Sequence, residues 1–258
     1  MLEEILANKR QEVEAAKARL PLAELKARVG HHRAERDFRR AVTQPGRLSL
    51  IAELKRKSPS RGMLRERFDP VSLAQILQAN GASALSVLTD ERYFGGHLEF
   101  LRDVKQFTEI PVLRKDFVLE PYQVYEAALY QADAVLLIVT VLDDATLTEC
   151  LRVAQSLELA ALVEVHAEAE LDRALRAGAQ LIGINARDLK TFTLHANVVA
   201  RLVPRIPKDR TIIAESGLQS PEDLRRLRQL GVHAALIGEA LMVAPDPAAK
   251  VRELLHYA

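Results

Sequence analysis

Residues 220–239 read SPEDLRRLRQLGVHAALIGE. Ser220-Pro221 looks like a helix start: an N-cap side chain is followed by a proline whose missing N–H costs nothing in the first turn. Helical sequence runs to Leu230, and Gly231 follows where the chain needs a left-handed residue to leave the helix. The apolar run 234–237 is then a strand, and its end carries Gly238-Glu239.

This unit recurs. Asp69-Pro70 opens another helix, and Asn80-Gly81-Ala82 and Ala177-Gly178-Ala179 close helices just before strands, as Leu230-Gly231-Val232 does. From Leu48 onward, strands are expected near 48–55, 84–88, 112–115, 134–138, 161–165, 181–184, 211–214 and 234–237. Helices are expected near 70–80, 98–107, 121–130, 143–156, 168–177, 195–202, 220–230 and 247–256. Strands alternating with helices indicate parallel βα units. About eight units, with no G-x-G-x-x-G after the first strand, favour a closed (β/α)8 TIM barrel in the α/β class over a doubly wound sheet.

Residues 1–47 precede the first strand and read as helices near 2–20 and 22–31 followed by a connector. Leu2, Ile5, Leu6 and Val13 have helical spacing, so this N-terminal helical extension is expected to pack on the barrel. No boundary falls after Arg47, and residues 1–258 read as a single barrel domain. His31-His32 does not read as a metal pair, because adjacent helical residues face different ways.

Of 258 residues, 36 are basic and 35 acidic, so a net charge of +1 gives no global field for nucleic acid or an anionic membrane. No stretch approaches the roughly 20 apolar residues of a membrane span. The start of the chain reads as an amphipathic helix rather than a signal peptide. The single cysteine, Cys150, excludes an internal disulfide and reads as a small buried helix residue. A cytoplasmic protein is expected.

Chemistry should lie at the carboxyl ends of the strands. There the chain places Glu53-Leu54-Lys55, Thr89-Asp90 with Tyr93-Phe94-Gly95-Gly96, Arg114-Lys115-Asp116-Phe117, Glu164-Val165-His166, Asn185-Ala186-Arg187-Asp188, Glu215-Ser216-Gly217 and Gly238-Glu239. Glu53 and Lys55 are two apart and so share a strand face. By itself such a pair reads as a surface ion pair; its place among the other polar strand ends makes it an acid/base candidate. The glycine-bearing turns after strands 7 and 8 suit phosphate, with Ser58, Lys57 and Arg61 of the first loop closing from the other side. Phe94, Phe117, Leu137, Leu189 and Leu236 are candidates for an apolar slot. The stretch 58–68 is long for a βα turn and reads as a lid.

Assembled in order, these strings closely resemble the indole-3-glycerol-phosphate synthase family over nearly the whole chain, the N-terminal helices included. The resemblance rests on IAELKRKSPSRG (51–62), LTD with YFGG (88–96), VLRKDF (112–117), LVEVH (162–166), INARDL (184–189), AESG (214–217) and LIGEALM (236–242). It implies a carboxy-lyase of tryptophan biosynthesis. Such an enzyme converts 1-(2-carboxyphenylamino)-1-deoxyribulose 5-phosphate to indole-3-glycerol phosphate, CO2 and water, with no metal or organic cofactor. Its implied catalytic positions are Glu53, Lys55, Lys115, Glu164, Asn185 and Ser216. Its implied phosphate contacts are Ser58, Gly217, Gly238 and Glu239, the last two through backbone amides, and Arg187 matches the family's active-site arginine; Phe94, Phe117 and Leu236 of the apolar slot and Glu215 complete the expected substrate-binding set. The expected partner is a small phosphorylated substrate, for a monomer at most weakly associated with other tryptophan-pathway enzymes. Ala186 stands where many relatives have a second Asn. The competing reading is another phosphate-binding barrel, such as a phosphoribosylanthranilate isomerase-like enzyme, which lacks the N-terminal arm.

Overall fold

The computed structural model describes residues 1–30, 33–189, 191, 193–195 and 197–256; His31-His32 lie outside the described residues. Eight parallel strands close into a barrel: β1 (Ser49–Leu54), β2 (Ala84–Leu88), β3 (Val112–Lys115), β4 (Ala134–Ile138), β5 (Ala160–Val165), β6 (Leu181–Asn185), β7 (Thr211–Glu215) and β8 (Ala234–Ile237). Each pairs with its neighbours in sequence, and β1 closes on β8 through Ser49↔Ala234 to Ala52↔Ile237. The helix punctuation is as expected. Asp69 accepts from Val71 N and Ser72 N, while Ser220 and Asp223 form a reciprocal capping box. Gly81, Gly178 and Gly231 leave their helices at positive φ.

Strand alternation sorts the core into two layers. Leu50, Ala52 and Leu54 of β1 face the helices, while Ile51 joins Ala84, Leu113, Ala134, Leu162, Leu181, Ile213 and Ala234 inside the barrel. The amino end of the barrel is thus filled with hydrocarbon.

The connector expected near 32–47 instead contains a short helix, Phe38–Val42, capped by Asp37. Phe38 and Val42 are buried with the barrel interior and close its lower end. Five residues are too few to show helical periodicity in the sequence. A second short helix, Glu91–Phe94, follows β2, and the helix expected at 195–202 starts only at Val198.

Helix α1 (Leu2–Arg19) buries Leu2, Ile5, Leu6, Lys9 and Val13. Its stripe therefore carries a charge at the position where spacing demands an apolar residue. Lys9 Nζ lies 3.0 Å from Asp90 Oδ2, 2.8 Å from Asp116 Oδ1 and 2.6 Å from Glu12 Oε2. Asp116 also accepts from Thr89 Oγ1 (2.6 Å) and pairs with buried Arg114 (3.2 Å), which reaches Glu126 (2.8 Å). Burial opposes ionisation of Asp116, but Lys9 and Arg114 outweigh it and hold the carboxyl well below the usual range. The extension is thereby bolted to the loops that follow β2 and β3.

Lys9→Met leaves Asp90 short of its cation and Asp116 with only Arg114. A loss of about 3–5 kcal/mol is expected, the cost of breaking a buried ion pair from one side. Guanidinium unfolding at pH 7 checks this, with a loss under about 1 kcal/mol contradicting it.

Candidate active site

Every second residue of the barrel strands points inward, and at the carboxyl ends of β1, β3, β5 and β7 those residues are charged. They line a cavity of about 220 Å³ that takes in Glu53 and Lys55 from β1 and its end, Lys115 from β3, Glu164 from β5, Asn185 from β6 and Glu215 from β7. Ser216, Gly217, Gly238, Glu239, Ser58, Arg187, Phe94, Phe117 and Leu236 line the same space. The six catalytic and nine substrate-binding positions expected from the sequence therefore line one cavity.

Two ion-pair groups organise its floor. Lys55 Nζ sits 2.6 Å from Glu53 Oε1. Lys115 Nζ lies between two carboxylates, 3.3 Å from Glu164 Oε2 and 3.2 Å from Glu215 Oε2. Burial disfavours every charge here, and the partners decide which survive. Burial lowers the Lys115 value, yet Glu215, Glu164 and Glu53 together raise it above the ordinary lysine range. Glu53 is held down against its burial by Lys55 and Lys115. Glu164 is likewise held down against burial by Lys115, His166 and Asn185. Glu215 goes the other way: burial, reinforced by Glu164, outweighs Lys115 and pushes it up to about 8. Two carboxyls around one ammonium thus adopt opposite protonation states, the pattern that separates a base from an acid.

With both lysines charged and all three glutamates ionised the group would carry −1; a proton on Glu215 brings it to zero. A buried group of charges tolerates neutrality far better than net charge.

Two glycines make room for the carboxylates. A Cβ on Gly183 would lie 2.3 Å from Glu215 Oε1, and one on Gly238 would lie 2.3 Å from Glu53 Oε1. Gly238 was expected only as a phosphate contact, and Gly183 was not singled out. Ser216, with φ +68°, is a non-glycine residue in the left-handed region, directly before Gly217 at +74°. Backbone strain of this kind gathers at functional turns.

Corrections concern neighbours of the site. Leu137 does not line the cavity. It faces the helix layer, and Leu136 and Ile138, one residue to either side, supply that wall. Lys57 does not reach toward the phosphate turns, because its Nζ donates to Arg92 O (2.7 Å) on the loop after β2. Arg61 does line the cavity, 2.7 Å from Glu239 Oε1, and Arg187 lies 3.5 Å from Glu239 Oε2. A short helix, Glu239–Met242, follows β8 directly. Among the described residues, no group of three or more His, Cys, Asp or Glu side chains could hold a metal ion.

The family model described as "Indole-3-glycerol phosphate synthase" matches residues 2–254. Curated relatives carrying that name include a protein of Desulforamulus reducens, 45% identical over 256 residues, covering 99% of this chain and 97% of the relative. Another, from Acidithiobacillus ferrooxidans, is 47% identical over 257 residues and covers 98% of each chain. Among solved structures, 3-hexulose-6-phosphate synthase from Salmonella typhimurium superposes with a TM-score of 0.66 at 15% identity, covering 81% of this chain and 98% of that one. At that identity the likeness speaks for the barrel alone.

The raised Glu215 value has a stability consequence. A carboxyl whose value goes from about 4.5 to about 8 on folding contributes stability that is full below 4.5 and drains away as pH rises through 8. Glu215→Gln keeps the neutral state at every pH. Relative to wild type it should therefore gain stability between pH 5 and 9, as read by urea unfolding across that range; a flat difference would contradict the protonated assignment.

Proposed function

The chain belongs to the indole-3-glycerol phosphate synthase family, and on that premise we propose that the cavity closes the indole ring of 1-(2-carboxyphenylamino)-1-deoxyribulose 5-phosphate, releasing CO2 and water. The observation that carries this reading is Lys115, an ammonium held on the barrel's inner face by Glu164 and Glu215 in the cavity that also holds the Ser216-Gly217 and Gly238-Glu239 turns.

Ring closure needs the aromatic carbon bearing the carboxylate to attack the ribulose carbonyl, whose oxygen gains negative charge as the bond forms. Lys115 is the general acid: it delivers a proton to that oxygen. Lys55, partly exposed beside Glu53, holds the ring carboxylate until CO2 leaves and assists the later proton transfers. Loss of the new hydroxyl as water needs a proton on that oxygen, which Lys55 supplies, and removal of the hydrogen on the neighbouring ring carbon, which Glu164, kept ionised, takes. Glu215, the one carboxyl that carries a proton, adds an acid adjacent to Lys115, a role beyond the substrate contact expected of it. Glu53 orients the lysines, while Asn185 and Ser216 hold the reacting groups.

Phosphate is taken at the turns after β7 and β8 by the amides of Gly217, Gly238 and Glu239, with Ser58 and Arg187 beside them. Phe94, Phe117 and Leu236, joined by Leu136 and Ile138, form the aromatic slot; the Phe94 and Phe117 rings lie 6.1 Å apart. An isomerase of the related barrels would need neither this lysine pair nor the bolted N-terminal helices.

We propose further that residues 1–258 act as one domain, monomeric and cytoplasmic, meeting other tryptophan-pathway enzymes at most weakly. Every group named above comes from one chain. Cys150 is buried and its thiol is pushed by burial up to about 12, so it is an inert packing residue. Among the described residues no helix is long and apolar enough to cross a membrane.

Incubation with the carboxyphenylamino ribulose phosphate should produce indole absorbance, and absence of product would reject the proposal. Lys115→Met should keep the barrel fold at a cost in stability and lower kcat by about 100-fold or more; near-normal turnover would remove its role. A dephosphorylated substrate should bind far more weakly, and equal affinity would count against the phosphate turns.

A further inference from the structure

A second cavity adjoins the substrate cavity, with Asn185 lining both. His166 lines only the second. Its ring is nearly buried, its side chain 12% exposed, and it sits directly after β5 against the carboxylate of Glu164. Nε2 of His166 lies 3.3 Å from Glu164 Oε1. On the other side of the ring, Nδ1 lies 3.2 Å from Glu170 Oε2, in the helix Glu168–Arg176 that follows β5.

Glu170 is itself fixed. Its Oε2 accepts from the His166 backbone N–H at 2.7 Å, and its Oε1 accepts from Thr140 Oγ1, also at 2.7 Å. Nδ1 has hydrogen-bond geometry to Glu170, whereas Nε2 meets Glu164 Oε1 as a charge contact, so the ring favours both carboxylates only as an imidazolium. The two oxygens of Glu164 are therefore divided between two cations, Oε1 facing His166 and Oε2 facing Lys115 at 3.3 Å. Nothing in the reaction as derived above uses His166 or Glu170, and neither lines the substrate cavity.

We propose that His166 is a positioning residue for ring closure: clamped by Glu170 and Thr140, it fixes Oε1 of Glu164 and leaves Oε2 as the oxygen that exchanges protons beside Lys115. The inference rests on the assignment of Glu164 as the base. Burial works against the imidazolium, but Glu164 and Glu170 outweigh it and push the ring up to about 10, so it is charged throughout the working range. The groups facing this ring are Glu164 from β5 and Glu170 from the next helix, with Lys115 of β3 on the far oxygen; Asp188, His195 and Arg201 line the cavity behind it. Loss of the charge would let the Glu164 carboxylate rotate and would raise its value toward the ordinary carboxyl range.

The test uses the full chain with three substitutions, His166→Gln, Glu170→Gln and Glu164→Gln, assayed for kcat and KM from pH 5 to 9. His166→Gln should lower kcat about tenfold or more, keep KM within about twofold, and move the acid limb of the kcat profile upward by about one pH unit or more. Glu170→Gln should do the same to a smaller degree, and it decides the matter if His166→Gln fails to fold. Turnover and an acid limb equal to wild type in both variants would overturn the positioning role, as would a fall in kcat with the acid limb unmoved. Glu164→Gln separates the two levels. If it is inactive while the other two match wild type, only His166 is misassigned; if it keeps wild-type turnover, the assignment of the base itself fails.

Discussion

An ammonium cannot be buried alone, and the cost of taking Lys115 out of water organises the upper half of this barrel. Desolvation of such a charge costs several kcal/mol unless partners surround it. Here Glu164 and Glu215 supply the partners at 3.3 and 3.2 Å. Those carboxylates are buried too, so the debt moves outward: Glu164 needs His166, and His166 needs Glu170. Among the described residues Glu215 meets no second cation, and it keeps its proton instead. The acid and base of the site are thus products of unequal compensation rather than of residue type.

The same logic explains the scaffold around the site. Lys115 lies between Arg114 and Asp116, whose side chains are both buried and whose charges are answered by Glu126 and by Lys9 of the N-terminal extension. The strand that carries the reactive lysine is in this way held on both sides by ion pairs, one of them running to a helix more than a hundred residues earlier in the chain. At the lower end Phe38 and Val42 shut the barrel with hydrocarbon. The opening is left at the end where the charges are, and the glycines at 183 and 238 leave the volume that Glu215 and Glu53 occupy.

Much of this was legible from local patterns. The βα repeat, the proline and acidic helix starts and the glycine exits follow from backbone chemistry within a few residues, and the structure places them where the patterns indicated. The polar strand ends were equally plain, because period-two alternation carries Glu53, Lys115, Glu164 and Glu215 to one face once each strand is recognised. Where the reading failed, the signal was short or the phase was off. Phe38–Val42 is barely more than a turn, and Leu137 sits one residue out of phase with the lining residues Leu136 and Ile138. Lys9 is visible in the sequence only as a charge on the apolar stripe of α1.

The amino-acid sequence by itself determined the eightfold βα architecture, the end of the barrel that bears chemistry and the residues that gather there, since each of these depends on spacing over ten residues or fewer. Only the tertiary structure decided which charges meet. That Glu215 rather than Glu164 holds the proton, that Lys9 answers Asp116, and that His166 turns one oxygen of Glu164 away from the substrate are consequences of contacts between strands and helices distant in the chain. The strength of such contacts is set by burial and by distances of about 3 Å, quantities that no local pattern encodes.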